Sequence, residues 1–186
     1  MRELIATPGL TAIRDEEEAW REHVERSLEG LAAVRRYAGP IVDVGSGGGS
    51  PGIPLAAALP DREVTLLEAQ ERKAAALERF AAWFPNVAVL RSRAEQATGC
   101  YEVAVARALA SPPVATEWCL PLVEEGGAVV LYLAPSADLD AVARVAALVG
   151  GGEPERAGSV VVIPKVAATP AGFPRRPGVA KKRPLA

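Results

Sequence analysis

Along this chain, short apolar runs alternate with longer stretches in which apolar positions fall three and four residues apart. The runs at 41–44, 64–68, 87–90, 101–106, 127–133 and 160–163 are rich in valine, leucine and isoleucine, and the pattern predicts buried strands there. A helix is predicted from Asp15, with Trp20, Val24, Leu28 and Leu31 as its packed stripe and Gly39-Pro40 as its stop. Further helices are predicted at 53–59, 71–84, 112–124 and 136–149, whereas 1–14, broken by Pro8-Gly9, reads as loop. In 71–84, Leu77, Phe80, Ala81 and Phe84 form one face and Arg72, Lys73, Glu78 and Arg79 the other. Strands apolar on both sides, alternating with helices, predict an α/β fold: one Rossmann-like domain with a mostly parallel twisted sheet and helices on both faces. The expected division is an N-terminal loop and helix (1–40), a core (41–165) and a tail (166–186).

Composition narrows the class. With 186 residues and 49% hydrophobic content, one compact domain can bury a core, and Pro, Gly or charge breaks every apolar run before it reaches membrane-span length. Nothing near the N-terminus reads as a secretory signal. Cys100 and Cys119 have neither a C-x-x-C partner nor a histidine cluster, so both are expected to be small buried side chains in a reducing cytosol, with no metal. The expected location is cytoplasmic and the expected state monomeric. Net charge is −2, yet Arg175, Arg176, Lys181, Lys182 and Arg183 face no acid after Phe173, so a basic tail follows an acidic body. Such asymmetry suits a polyanionic partner, or a solvated terminus.

The stretch with the most chemistry is 41–54, where a β-branched run carrying Asp43 breaks into Gly45-Ser46-Gly47-Gly48-Gly49 and then meets Pro51. It reads as strand, tight turn and helix start, with free helix N–H groups facing a ligand. Gly47, Gly49 and Gly52 satisfy the dinucleotide spacing G-x-G-x-x-G. Gly45, Gly47 and Gly49 satisfy G-x-G-x-G with an acid two residues earlier, the habit of S-adenosylmethionine (SAM) methyltransferases, and Asp43 favours that register. Glu68, ending the next strand 19 residues after Gly49, stands where an acid reaches ribose hydroxyls. Gly45, Glu68, the Ala94-Glu95 turn and Arg107 end or follow the first four strands and are expected on one rim. His23, the only histidine, reads as a packed or hydrogen-bonded side chain.

The chain resembles the RsmG (GidB) ribosomal RNA methyltransferases. The matching pieces are Leu10-Thr11-Ala12-Ile13-Arg14-Asp15, His23 with Ser27-Leu28, Val42 to Gly49, and Pro51-Gly52-Ile53-Pro54. Ser92-Arg93-Ala94-Glu95, Ala106-Arg107-Ala108, Phe173-Pro174-Arg175-Arg176-Pro177-Gly178 and Pro184-Leu185 complete them. The resemblance implies SAM-dependent methylation of a guanine N7 in 16S ribosomal RNA, on naked RNA or on the small ribosomal subunit. It implies that Gly45, Gly47 and Gly49 hold the methionine part of SAM, and that Asp43 belongs to the same site. Glu68 would take the ribose and Ala94-Glu95 would border the adenine. Arg107 would lie near the transferred methyl, orienting guanine or its phosphate, or else pairing with an acid such as Glu95. Arg72, Lys73, Arg175, Arg176, Lys181 and Lys182 become candidate phosphate contacts.

Departures from the family pattern all fall on the substrate side. Gly9 stands in place of Asn, Arg26 in place of Asp, and Leu133-Ala134 in place of a Lys-Gly pair. The chain also starts close to the first matching motif and is expected to lack the helices that normally precede it in the family; a helix missing there would leave an apolar face exposed. Guanine N7 carries a lone pair and no proton, so in-line attack needs alignment and no general base; a lone histidine is no objection. Two alternatives stay open: a non-catalytic SAM- or RNA-binding relative, and a nicotinamide-dependent oxidoreductase using Gly47, Gly49, Gly52 and Glu68.

Overall fold

The computed structural model describes residues 1–186. Seven strands form one sheet in the order β3-β2-β1-β4-β5-β7-β6. They are β1 (Ile41–Val44), β2 (Val64–Glu68), β3 (Val87–Arg91), β4 (Tyr101–Arg107), β5 (Val123–Tyr132), β6 (Glu155–Ala157) and β7 (Val160–Pro164). The first five are parallel, and β7 and β6 add an antiparallel edge. Chain order reverses between β1 and β4, which opens a crevice at their carboxyl ends.

Alternation along the strands divides the core in two. Val42, Val44, Ala104, Ala106, Val129 and Leu131 face one side, under α7 (Pro112–Cys119) and α8 (Leu139–Leu148). Ile41, Val103, Val105, Ala128 and Val130 face the other, with Leu55 of α5 (Gly52–Ala58) and Leu77 of α6 (Glu71–Ala81). No helix is long and apolar enough to cross a membrane.

The N-terminal region differs from its pattern. Arg2–Ala6 forms a short helix, α1, where loop is expected; Leu4 is buried against Gly48, so tertiary packing supplies what five residues cannot signal by periodicity. Asp15 caps α2 (Glu16–Trp20) by accepting from the Glu18 N–H at 2.8 Å. The helix then widens into a π turn at Arg21–Glu25 before α3 (Arg26–Leu28) and α4 (Leu31–Val34). The packed face is Ala19, His23 and Ser27, one residue out of phase with the expected stripe, and Trp20 is left half exposed. Further on, the helix predicted to 124 stops at Cys119, because Pro121 cannot donate, and β5 starts at Val123 and runs through Gly126-Gly127. The basic tail holds a last short helix, α9 (Val179–Lys182), and Cys100 is exposed rather than buried.

Candidate functional site

The glycine loop is shaped by two buried acids. Asp43, 1% exposed inside β1, accepts from the Gly52 N–H at 2.9 Å, and a Cβ on Gly52 would lie 2.7 Å from the same carboxylate oxygen. Only glycine allows that approach. Burial pushes the Asp43 carboxyl up to about 7, against the Gly52 hydrogen bond, and its second oxygen has no partner. Glu68, 6% exposed at the end of β2, accepts from Gly47 N–H at 2.9 Å through one oxygen and from Gln70 N–H at 2.7 Å through the other. Gly45 and Ser46 both donate to the Leu67 carbonyl, at 2.8 and 3.1 Å. The loop is thus tied to both strands beside it.

Gly45, Gly47, Glu68, Lys73, Ala94, Glu95, Leu109 and Trp118 line a cavity of about 330 Å³ beside this loop. At Gly45 the φ of +73° and the Leu109 side chain, with which a Cβ would collide, both demand glycine. The residues fit SAM. Two glycines give bare backbone for an extended chain, and a carboxylate with lone pairs beyond its two amide bonds can accept from a ribose diol. The Trp118 indole N–H, on the wall, is a buried donor without a partner. Asp43 and Gly49 do not line this cavity: Asp43 lies beneath α5, and Gly49 faces Ile53 and Leu77. Their expected contact role is corrected to shaping the loop. The Gly52 N–H at the start of α5 is likewise turned to Asp43 and not to a ligand.

Arg107, at the end of β4, faces a second cavity of about 430 Å³ lined also by Arg26, Glu29, Tyr132, Leu133 and Ala134. It donates to the Glu22 carbonyl at 2.7 Å and lies 3.4 Å from both Ser27 Oγ and His23 Nδ1. Glu95 is not its partner. The Tyr132 hydroxyl donates to the Ser27 carbonyl, and burial raises its pKa further. His23 Nε2 lies 2.9 Å from Thr11 Oγ1. Burial and then Arg107 lower the His23 pKa, so its Nδ1 faces the guanidinium as a neutral acceptor. Between the cavities Ala108 adopts φ +53°, rare outside glycine, sending Arg107 one way and Leu109 the other.

The candidate cations separate. Lys73 lines the first cavity, while Arg72, Arg176, Lys181 and Lys182 are exposed. Arg175 is corrected: its guanidinium forks onto Glu117 at 2.6 and 2.5 Å, so it is not presented to a phosphate. Glu117 is itself 1% exposed. Trp118, Tyr132 and Glu117 escape the reading of the sequence. A strand-end rule applied to β5 finds Tyr132, and an acid inside an apolar helix flags Glu117; nothing local marks Trp118. No group of three or more His, Cys, Asp or Glu side chains is arranged to hold a metal.

Comparison with known proteins identifies the family and the fold. Residues 3–149 match the GidB family, rRNA small subunit methyltransferase G. Ribosomal RNA small subunit methyltransferase G of Moorella thermoacetica is 36% identical, over 95% of this chain and 82% of that protein. The Roseiflexus castenholzii protein of the same name is 37% identical, over 95% and 84%. Among solved structures, magnesium protoporphyrin IX methyltransferase from Synechocystis with bound SAM superposes with a TM-score of 0.62 at 16% identity, covering 86% of this chain and 88% of that one. The ribosomal protein L11 methylase of Lactobacillus delbrueckii gives 0.58 at 20% identity, covering 77% and 78%; both likenesses concern the fold. On family match and identity together, the chain belongs to the rRNA small subunit methyltransferase G family of SAM-dependent enzymes.

Proposed function

We propose that this enzyme methylates N7 of a guanine in 16S ribosomal RNA. The observation that carries the reading is that successive residues at the end of β4 line two cavities, Ala108 and Leu109 the one suited to a nucleoside cofactor and Arg107 the other. When bound, SAM supplies a methyl on a cationic sulfur; the N7 lone pair forms the new bond, the S–C pair stays on sulfur, and no proton moves. Gly45 and Gly47 leave room for the methionine chain, Glu68 accepts from the ribose, and Ala94 and Glu95 border the base. Arg107, held by Glu22, Ser27 and His23, orients the guanine or its phosphate with its remaining donors. Neutral His23 is a positioning residue here, and the absence of a general base suits a nucleophile with no proton to lose.

In this reading residues 1–40 and the ends of β4 and β5 form the substrate side, 41–165 hold the cofactor, and 166–186 bring cations to the RNA. Arg72, Arg176, Lys181 and Lys182 supply phosphate contacts, which add affinity without sequence information. Two cysteines without a disulfide and an RNA substrate suit a reducing cytoplasm. The experiment is transfer of labelled methyl from SAM to 16S RNA lacking the modification, on naked RNA and on the assembled subunit, with mass mapping of the product. Label at a single guanine N7 is expected. SAM binding without transfer to either substrate would overturn the reading in favour of a non-catalytic relative.

A further inference from the structure

The C-terminal segment turns its two sides to different surroundings. On its outer side Arg176, Lys181 and Lys182 are exposed. On its inner side three ties hold it to the wall of the cofactor cavity beyond Glu68. The Gly178 N–H donates to Glu95 Oε1 at 2.9 Å, and the Glu95 side chain is only 4% exposed. The Arg175 fork grips Glu117, whose chain neighbour in α7 is Trp118, and Arg175 also donates to the Arg183 carbonyl at 3.0 Å. Ala180 of α9 is buried in the same core cluster as Trp118 and Ala94, with Phe173 packed against it. Glu95, Trp118 and Ala94 all line the cavity.

We propose that this segment is the outer support of the cofactor cavity, with Arg175 a positioning residue for SAM binding that touches no cofactor itself. The proposal rests on the assignment of that cavity to SAM. The physical reason is the cost of undoing any one tie. Without Arg175, Glu117 becomes an unpaired carboxylate in the core, and α7 must shift to hydrate it, carrying Trp118 along. Glu95 already pairs with Arg93 at 3.8 Å through its other oxygen; without the docked segment it loses the backbone donor that aims its carboxylate and is free to turn into the cavity. The bidentate geometry is specific to a guanidinium, so lysine replaces it only in part.

The test uses the whole chain and S-adenosylhomocysteine, titrated calorimetrically in the absence of RNA. Arg175→Ala is expected to bind it about tenfold more weakly, to raise KM for SAM by a similar factor with kcat within about twofold, and to leave KM for RNA within about twofold. In the cofactor-free protein the Gly178 amide, protected in the wild type, is expected to exchange at least about tenfold faster. Arg175→Lys should fall between the two, and Lys181→Ala/Lys182→Ala should leave S-adenosylhomocysteine affinity unchanged. An Arg175→Ala protein with wild-type cofactor affinity and weakened RNA binding would overturn the proposal and make Arg175 a phosphate contact. If Arg175→Ala does not fold, Glu117→Met/Arg175→Met replaces the ion pair by apolar packing and is expected to keep Gly178 protected and affinity within about threefold. Loss of cofactor affinity with Gly178 still protected would overturn the proposal. A wild-type protein in which S-adenosylhomocysteine binds without perturbing Gly47 or Glu68 would instead remove the cavity assignment on which the proposal rests.

Discussion

The two sides of the crevice are built by different means. On the β1-β2 side, backbone amides are fastened to buried acids within a short span: Asp43 to Gly52, Glu68 to Gly47 and Gln70. On the β4-β5 side, long side chains reach across the fold to the N-terminal helices: Arg107 to Glu22 and His23, Tyr132 to Ser27. The first construction leaves little latitude, because a Cβ or a lost carboxylate breaks it. The second is adaptable, since an arginine or tyrosine can meet carbonyls presented by many helices. Departures from the family pattern at Arg26 and Leu133-Ala134 fall on the adaptable side and line its cavity.

That contrast can be broken or sharpened by substitution. The largest effect concerns Asp43. Its folded-state pKa is raised from an ordinary 3.8 to about 7, so the folded protein holds a proton that the unfolded chain releases. The associated stability is fully present below about pH 3.8 and is lost as pH rises through about 7, amounting to about 4 kcal/mol across that window. Asp43→Asn should remove this part of the slope, read from urea unfolding between pH 4 and 8; an unchanged slope would show that the carboxyl is not the buried group described. His23 acts oppositely, its lowered pKa favouring the folded state as pH rises through about 6.5, so the comparison must be made against wild type at each pH.

Next comes Gly45→Ala. Left-handed backbone costs an alanine about 1–2 kcal/mol, and the new Cβ meets Leu109. Binding of S-adenosylhomocysteine should weaken about a hundredfold, while RNA binding without cofactor stays within about twofold. Equal loss of both would mean that the two sides are one unit. The smallest effect is Lys181→Ala/Lys182→Ala: RNA affinity should fall about tenfold at low salt, and the slope of log affinity against log salt should flatten by about 1.5. An unchanged salt slope would remove the tail from the RNA surface.

The same contrast explains what could be read from the sequence. Strand positions, the loop at 45–49 and Glu68 are legible because each depends on residues close along the chain or on the rule that ligands sit at strand ends, whereas the order of the strands in the sheet is not. The fork of Arg175 on Glu117, 58 residues apart, leaves no local trace, so the tail's charges look uniformly free. The π turn at Arg21–Glu25 is invisible for a different reason: it inserts a phase shift into a stripe that reads perfectly well as continuous helix, and so misassigns Trp20 to the core. Cys100 shows the limit of composition, since two cysteines of identical prior end up on opposite sides of the surface.

The central claim is that cofactor and substrate are held by separable halves joined at Arg107-Ala108. The most direct measurement is on Arg107→Ala, comparing calorimetric S-adenosylhomocysteine affinity with the rate of methyl transfer to 16S RNA at saturating SAM. The account predicts affinity within about twofold of wild type and transfer reduced about a hundredfold or more, the scale of losing one oriented donor at a reacting centre. Full transfer with unchanged RNA affinity, or a cofactor affinity that falls in step with the rate, would contradict it.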